Sequence, residues 1–179
     1  MSALLHTPRL IVPVSERDHV RGPATAAVTL LEYGDYQCPY CGAAYPVVLQ
    51  LERLLGDDLR FAYRHFPLSR IHTHAYQAAE SAEAAGAQGR FWEMHDLLFT
   101  HQDRLGTPDL LAYAQALGLD LKRFAADLEA HVHAPRLRED FLSGIRSGVN
   151  GTPTFFVNDV RHNGGYDLES LLAAIRAAV

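Results

Sequence analysis

Apolar positions near the start of the chain follow first a strand pattern, then a helix pattern, then a strand pattern again. The run Val28-Thr-Leu-Leu-Glu-Tyr33 is apolar and β-branched and too short for a helix, which predicts a buried strand. From Pro39 to about Leu55 apolar residues recur at helical spacing, and Gly56 follows where a helix commonly ends. Residues 59–66 alternate and predict a second strand. This order predicts two parallel strands joined by a right-handed crossover.

The next part of the chain is helical for a long stretch and then returns to strands. From Thr73 to about Ser147 the helical pattern shows no repeat and no low-complexity segment. Helices are predicted over 75–85, over 91–99, from a cap at Thr107 to Leu117, from a cap at Asp120, and over 135–145. Strands over 154–157 and 160–162, joined by a turn at Asn158-Asp159, precede a last helix over 168–178, capped by Asp167.

The order of these elements predicts the fold class. Strand, helix, strand, helical insert, strand, strand and helix indicate an α/β sandwich, a small mixed sheet with helices on both faces. Residues 1–72 and 148–179 would form the α/β domain, and residues 73–147 the inserted helical subdomain. Prolines and glycine break the pattern up to Ala27, so residues 1–24 are expected to be an extended N-terminal segment.

Length, composition and charge exclude several classes of function. The 179 residues, 48% of them apolar, suit one globular domain with a sizeable core. The formal net charge of -5 and the lack of a long basic run argue against nucleic acid and against an anionic membrane as partners. No stretch reaches the roughly 18 to 20 apolar residues that cross a bilayer.

The N-terminal residues bear on the expected compartment. Residues 10–14 are too short for the apolar core of a secretory signal, Pro13 interrupts them, and a charged segment follows. A cytoplasmic protein is therefore expected, and we also expect a monomer. A signal removed beforehand would instead place the protein in the periplasm.

The two cysteines of the chain, Cys38 and Cys41, stand three positions apart. A disulfide between them closes too small a loop to stabilise a fold by chain entropy, so a chemical role is expected. One interpretation is half of a zinc site, with His72 and His74 as further ligands. The other is a redox pair, which the position between a strand and a helix start favours. A metal site is not expected.

The predicted helix start gives the two thiols different chemistry. Unpaired backbone N–H groups and the positive end of the helix dipole favour a thiolate at Cys38, so its pKa should lie below that of a free thiol. Cys38 would attack a substrate disulfide. Cys41, one turn further along and less exposed, would resolve the mixed disulfide.

Two motifs resemble a known family. Cys38-Pro-Tyr-Cys41, with Gly151-Thr-Pro-Thr-Phe-Phe-Val157 about 110 residues downstream, resembles the thioredoxin superfamily, and the helical insert resembles its DsbA-like branch. The resemblance implies a thioredoxin fold with a helical subdomain inserted between its halves. It also implies a thiol-disulfide oxidoreductase acting on protein or small thiol substrates, with a redox partner such as a thioredoxin or glutathione system. No organic cofactor is implied, because the electrons reside on the Cys38–Cys41 pair.

The resemblance also assigns roles to residues outside the motif. Thr152-Pro153 matches the family's cis-proline step, which would place the Thr152 backbone beside an extended substrate and Pro153 beside the thiols. Glu32 matches a buried acid beneath the active site, with a raised pKa, that would relay a proton for Cys41. The alternatives are a proline that merely begins a strand and a glutamate on an exposed strand face.

The dipeptide Pro39-Tyr40 is expected to contact substrate and to tune the pair. Tyr40 is uncharged at pH 7, whereas strong oxidases of the family often carry a histidine there, which helps to stabilise the thiolate. We therefore expect a reduction potential of roughly -250 to -150 mV. The direction of electron flow stays open, and a reducing cytoplasm would favour net reduction or isomerisation.

Two other functions remain as alternatives. The glutathione-dependent 2-hydroxychromene-2-carboxylate isomerases belong to the same branch, but they typically lack the second cysteine that is present here as Cys41. A non-catalytic metal-binding or interaction module would use Cys38, Cys41 and histidines.

Overall fold

In the computed structural model, which describes residues 8–179, five strands pair into one mixed sheet. The strands are β1 (His19–Arg21), β2 (Val28–Gly34), β3 (Leu59–His65), β4 (Thr154–Val157) and β5 (Val160–Arg161). Their order across the sheet is β1-β3-β2-β4-β5, with β2 and β3 parallel and the other neighbours antiparallel. The predicted α/β class and the thioredoxin fold are confirmed.

Helices cover both faces of the sheet and fill the long connection between β3 and β4. They are α1 (Pro39–Leu55), α2 (Ala75–Gly86), α3 (Phe91–Thr100), α4 (Thr107–Ala116), α5 (Leu121–Glu129), α6 (Ala134–Arg146) and α7 (Leu168–Ala177). A 3-10 turn, Gly56–Asp58, joins α1 to β3. Helices α2 to α6 lie between β3 and β4, where the insert was predicted. The domain boundaries at 72/73 and 147/148 themselves stay a prediction.

The strand registers decide which residues share a face of the sheet. Glu32 lies opposite Tyr63 of β3 and Phe155 of β4, so these three side chains point to one face. That face forms one core with α1, α3 and α7. The neighbouring residues Leu31 and Tyr33 point to the other face, where Phe66 and Phe156 pack in a second core. Alternation along β2 thus places Glu32 beneath α1.

Strand β1 was not predicted from the sequence, and it lies in a region that was expected to be irregular. Val20 pairs with Ala62, and the strand runs antiparallel to β3. Three residues are too few to show a periodic pattern, because β1 depends on its pairing with a partner far along the chain. Residues 1–7 of the predicted extended segment lie outside the described residues.

Two of the three helix N-caps predicted from the sequence are present in the structure. Asp120 and Asp167 accept hydrogen bonds from the N–H groups of Arg123 and Ser170, which confirms both predicted caps. Thr107 is instead the first residue of α4, after Gly106, and its hydroxyl accepts a bond from Gln77. A tertiary contact therefore occupies the group that was expected to cap the helix.

The predicted hairpin is also present. Asn158 and Asp159 have positive φ angles of 44° and 67°, and Val157 pairs with Val160 on either side of them. Among residues 8–179, no helix is both long and apolar enough to span a bilayer.

Candidate active site

The two cysteines lie where β2 turns into α1. Cys38 is the N-cap residue of α1, Pro39 is in the first turn, and Cys41 points inward from that turn. Both are free thiols, with Cys38 2% exposed and Cys41 fully buried. This junction places Cys38 at the helix N-terminus, as the sequence predicts.

The Cys38 thiol is strongly acidic, with its pKa lowered from 9.0 to about 5. The largest cause is a hydrogen bond from the Cys41 thiol. The Thr152 side chain and the backbone N–H groups of Cys41 and Tyr40 add to it, against the opposing effect of burial. The lowered pKa agrees with the prediction, but the helix N–H groups are not its main source. At neutral pH the group is a thiolate, the form that attacks disulfides.

Cys41 has the opposite character. Burial raises its pKa well above 9.0, and the bond to Cys38 and the charges of Glu32 and Cys38 raise it further. Cys41 therefore keeps its proton in the reduced pair and donates it toward the Cys38 sulfur. To act as a nucleophile, it must first lose that proton to a base.

Thr152 and Pro153 form a second wall of the site. The peptide bond between them is cis, and the Cys38 sulfur lies 3.4 Å from the Thr152 carbonyl oxygen. The Thr152 hydroxyl is buried and has no hydrogen-bond partner among the described residues, so it is free to donate to a thiolate. The fold thus brings the two sequence motifs together.

Glu32 is 2% exposed, so the alternative of an exposed strand face is wrong. Its Oε1 atom is buried and has no hydrogen-bond partner within residues 8–179. Burial raises the pKa of this carboxyl group from 4.5 to about 8, and the charge of Cys38 contributes. An acid that titrates near neutral pH lies close enough to both thiols to interact with their charges.

Asp35, which is not among the predicted site residues, shapes the turn before Cys38. Its buried carboxylate accepts bonds from the N–H groups of Gln37 at 2.8 Å, Cys38 at 3.2 Å and Leu68 at 2.8 Å. A fourth contact, also of 2.8 Å, joins it to Nδ1 of His72. An aspartate three residues before a helix cap is a recognisable turn signal, whereas Leu68 and His72 come together with it only in the fold.

The contact with Asp35 occupies His72, one of the two histidines considered as zinc ligands. His72 is directed at Asp35, and His74 forms part of the turn before α2, with its N–H donating to Gln37. Among the described residues, no group of three or more Cys, His, Asp or Glu side chains has an arrangement that would hold a metal ion.

Tyr40 and Pro39 lie at the surface beside Cys38. Tyr40 is 61% exposed, and its ring meets that of Tyr166 edge to face, with 6.5 Å between centroids. An aromatic surface therefore borders the nearly buried thiol. The roles of Pro39, Tyr40, Thr152 and Pro153 in substrate binding stay predictions.

Three other histidines make contacts that hold the fold together. His65 and His19 both lie 2.8 Å from the same oxygen of Glu83, which ties the sheet to α2. His95 is buried, and its Nδ1 lies 3.0 Å from the Tyr36 hydroxyl.

Fold and site together define a thioredoxin-like protein with a dithiol at the start of α1 and a helical insert. The family model described as Thioredoxin matches residues 14–177. The chain therefore belongs to the thioredoxin family.

Solved structures agree with this assignment and with the DsbA-like resemblance. A thioredoxin-like oxidoreductase from Silicibacter pomeroyi is 29% identical, with 92% of this chain and 93% of that chain covered and a TM-score of 0.81. DsbA2 from Pseudomonas aeruginosa is 25% identical, with coverages of 94% and 96% and a TM-score of 0.71. BdbD from Bacillus subtilis, in its oxidised form, is 22% identical, covers 96% of both chains at a TM-score of 0.83, and shares the fold.

Sequence relatives of higher identity carry a different name. A Na(+)/H(+) antiporter NhaA 1 from Salinispora arenicola is 54% identical over 172 residues, which make up 94% of this chain and 26% of the antiporter. An antiporter of the same name from Mycobacterium sp. (strain KMS) is 45% identical over 171 residues, 94% of this chain and 28% of that protein. The chain thus spans about a quarter of the length of the curated relatives that it matches.

Proposed function

We propose that the protein is a thiol-disulfide oxidoreductase that works through Cys38 and Cys41. The observation that carries the proposal is the placement of two free thiols at the start of α1, with Cys38 at the N-cap, 3.4 Å from the Thr152 carbonyl oxygen, and Cys41 buried behind it. Cys38 has a pKa of about 5, whereas the pKa of Cys41 lies well above 9.0. One sulfur is therefore a nucleophile at neutral pH, and the other is a protonated reserve.

The reductive direction runs through one covalent intermediate. The Cys38 thiolate attacks one sulfur of a substrate disulfide, forms a mixed disulfide with it and releases the other sulfur as a thiolate. Cys41 then loses its proton and attacks Cys38, which releases the second substrate thiolate. Two electrons pass to the substrate, Cys38 and Cys41 become a disulfide, and the reverse sequence oxidises a substrate dithiol.

Glu32 is the proposed base for the second attack. The charge of Cys38 helps to hold the pKa of Glu32 near 8, and this charge disappears when Cys38 forms the mixed disulfide. The pKa of Glu32 then falls, so the carboxylate becomes available to take the proton from Cys41. Formation of the intermediate thereby prepares the base that resolves it.

Substrates are expected to bind along the wall that Thr152 and Pro153 provide, with Pro39 and Tyr40 on the other side. An extended protein segment, or a small disulfide, would place its sulfur against Cys38 and pair with the Thr152 backbone. No organic cofactor is required, because both electrons rest on sulfur.

The curated relatives favour one class of protein partner. Relatives that match 94% of this chain are named Na(+)/H(+) antiporters and extend well beyond the matched region, so we infer an ion transporter as a candidate substrate or partner. A thioredoxin or glutathione system would supply or remove the electrons.

The compartment sets the direction of exchange. In a reducing cytoplasm the dithiol form dominates, and net reduction or isomerisation is expected. An oxidising periplasm would favour disulfide donation. Cytoplasmic location and a monomeric state stay predictions, which cell fractionation and light scattering of the natural protein test.

An insulin-reduction assay, run beside metal analysis of untagged protein, tests the activity. Cys38→Ser should abolish turnover, and Cys41→Ser should accumulate mixed disulfides that mass spectrometry of whole cells, membranes included, identifies. Full activity of Cys38→Ser would refute the mechanism. Stoichiometric zinc without turnover would favour the metal-binding module.

A further inference from the structure

The side chain of Gln102, just after α3, reaches across to the turn that carries Cys38. Its Nε2 group donates two hydrogen bonds, to the carbonyl oxygen of Tyr36 at 2.9 Å and to that of Cys38 at 2.8 Å. Both carbonyls belong to the segment between β2 and α1. A residue of the helical insert therefore binds the backbone of the candidate active site directly.

Gly42 makes this close approach possible. A Cβ atom at position 42 would lie 2.0 Å from Oε1 of Gln102, well inside contact distance. The N–H of Gly42 also donates to the Cys38 carbonyl at 3.0 Å, within the first turn of α1. The amide of Gln102 thus lies against that turn, with its nitrogen bonded to the Cys38 carbonyl and its oxygen beside Gly42.

Gln102 and Asp35 hold the same turn from complementary sides. Asp35, a carboxylate, accepts from the N–H groups of Gln37 and Cys38, whereas Gln102, an amide donor, binds the carbonyls of Tyr36 and Cys38. Between them they pair backbone groups of three successive residues. A turn held in this way keeps one geometry.

We propose that Gln102 is a positioning residue, which fixes the Cys38 turn to the inserted helices and so sets the donor geometry around the Cys38 sulfur. This inference rests on the proposed redox function. The donors around this sulfur are the Cys41 thiol, which contributes most, then the hydroxyl of Thr152 and the N–H groups of Cys41 and Tyr40, and each acts only at short range. A small displacement of the turn therefore weakens all of them together.

The test compares Gln102→Leu with a matched control, Gln88→Leu. The amide of Gln88 also bridges backbone groups in the insert, accepting from the N–H of Asp120 at 2.8 Å and donating to its carbonyl at 3.3 Å, but it does not touch the site. Thiolate absorbance against pH and the equilibrium constant with glutathione are measured for both variants and the parent protein.

We expect Gln102→Leu to raise the pKa of Cys38 by at least about half a unit, which is roughly a threefold loss of thiolate stability. The glutathione equilibrium should move toward the protein disulfide by about the same factor. Gln88→Leu should leave both quantities at the parent values. If Gln102 only stabilised the fold, Gln102→Leu would behave like Gln88→Leu. It would lower the free energy of unfolding and leave the pKa of Cys38 and the equilibrium constant with glutathione unchanged.

If Gln102→Leu does not fold, Gly42→Ala tests whether the Gln102 amide affects the pKa of Cys38. Alanine is the better helix former by about 1 kcal/mol, so this variant keeps α1 while its methyl group displaces the Gln102 amide. It should raise the pKa of Cys38 in the same direction. If the folded variant, Gln102→Leu or failing that Gly42→Ala, keeps the parent pKa and equilibrium constant, the proposal is overturned.

Failure of this proposal differs from failure of the redox function. In the first case the parent protein still reduces insulin through Cys38, and only the dependence on Gln102 is lost. In the second case the parent protein shows no turnover that depends on Cys38.

Discussion

Replacing Glu32 with glutamine should change how the stability of the reduced protein depends on pH. In the folded protein burial raises the pKa of Glu32 to about 8, against 4.5 for the exposed group. Between these two values the folded state holds a proton that the unfolded chain has released. The free energy of unfolding contributed by this group therefore falls as pH rises through that interval.

The size of the pKa shift of Glu32 sets the expected change in the free energy of unfolding. A shift from 4.5 to about 8, at about 1.36 kcal/mol per unit, corresponds to at most about 5 kcal/mol. Glu32→Gln removes the titration and keeps the shape of the side chain. Relative to the parent protein, the variant should therefore become more stable as the pH is raised from 5 to 8, by several kcal/mol.

Urea denaturation of the reduced protein at pH 5, 6.5 and 8 measures this difference, with the single tryptophan, Trp92, as the fluorescent probe. Glu16→Gln, a change at an exposed glutamate, serves as the control and should show no pH-dependent difference from the parent protein. Cys38 titrates in both the parent and the Glu32 variant, so most of its effect cancels in the comparison. A difference that stays constant from pH 5 to pH 8 would refute the raised pKa of Glu32 and with it the proposed base.

Three further outcomes are expected. Thr152→Val removes a donor to the thiolate and should raise the pKa of Cys38 from about 5, seen as a shifted pH midpoint of alkylation; an unchanged midpoint would contradict the role of the hydroxyl. The parent protein should have a reduction potential of roughly -250 to -150 mV, and Tyr40→His should make it more oxidising; a parent value near -120 mV would show that Tyr40 does not weaken the oxidant. Asp35→Ala leaves the N–H groups of Gln37, Cys38 and Leu68 without their acceptor and should lower the free energy of unfolding by about 3–5 kcal/mol; a loss below about 1 kcal/mol would mean that water replaces the carboxylate.

Prediction from sequence succeeded where the signal is local. The strand before Cys38, the helix that begins at Pro39 and the caps at Asp120 and Asp167 each depend on residues within a few positions of one another. Side-chain periodicity and capping express short-range sterics and hydrogen bonding, which the order of residues specifies directly.

Prediction failed where a distant contact decides the structure. Strand β1 has too few residues to show a pattern and exists because it pairs with β3. Thr107 has the chemistry of a helix cap, yet its hydroxyl binds Gln77 and it becomes the first helical residue. In both cases the stabilising contact is with a residue far along the chain, which the neighbouring sequence does not indicate.

The sequence by itself determined the chemistry of the site: two thiols at a helix start, an acid six positions earlier and a proline motif downstream. Only the tertiary structure decided how these groups act on one another. Thr152 reaches Cys38 across 114 positions and Gln102 across 64. Glu32 is buried because it lies between Tyr63 and Phe155 on the face of the sheet that packs against α1. Hydrogen bonds and desolvation act over a few ångströms, so the acidity of each group follows from packing that brings distant residues within that range.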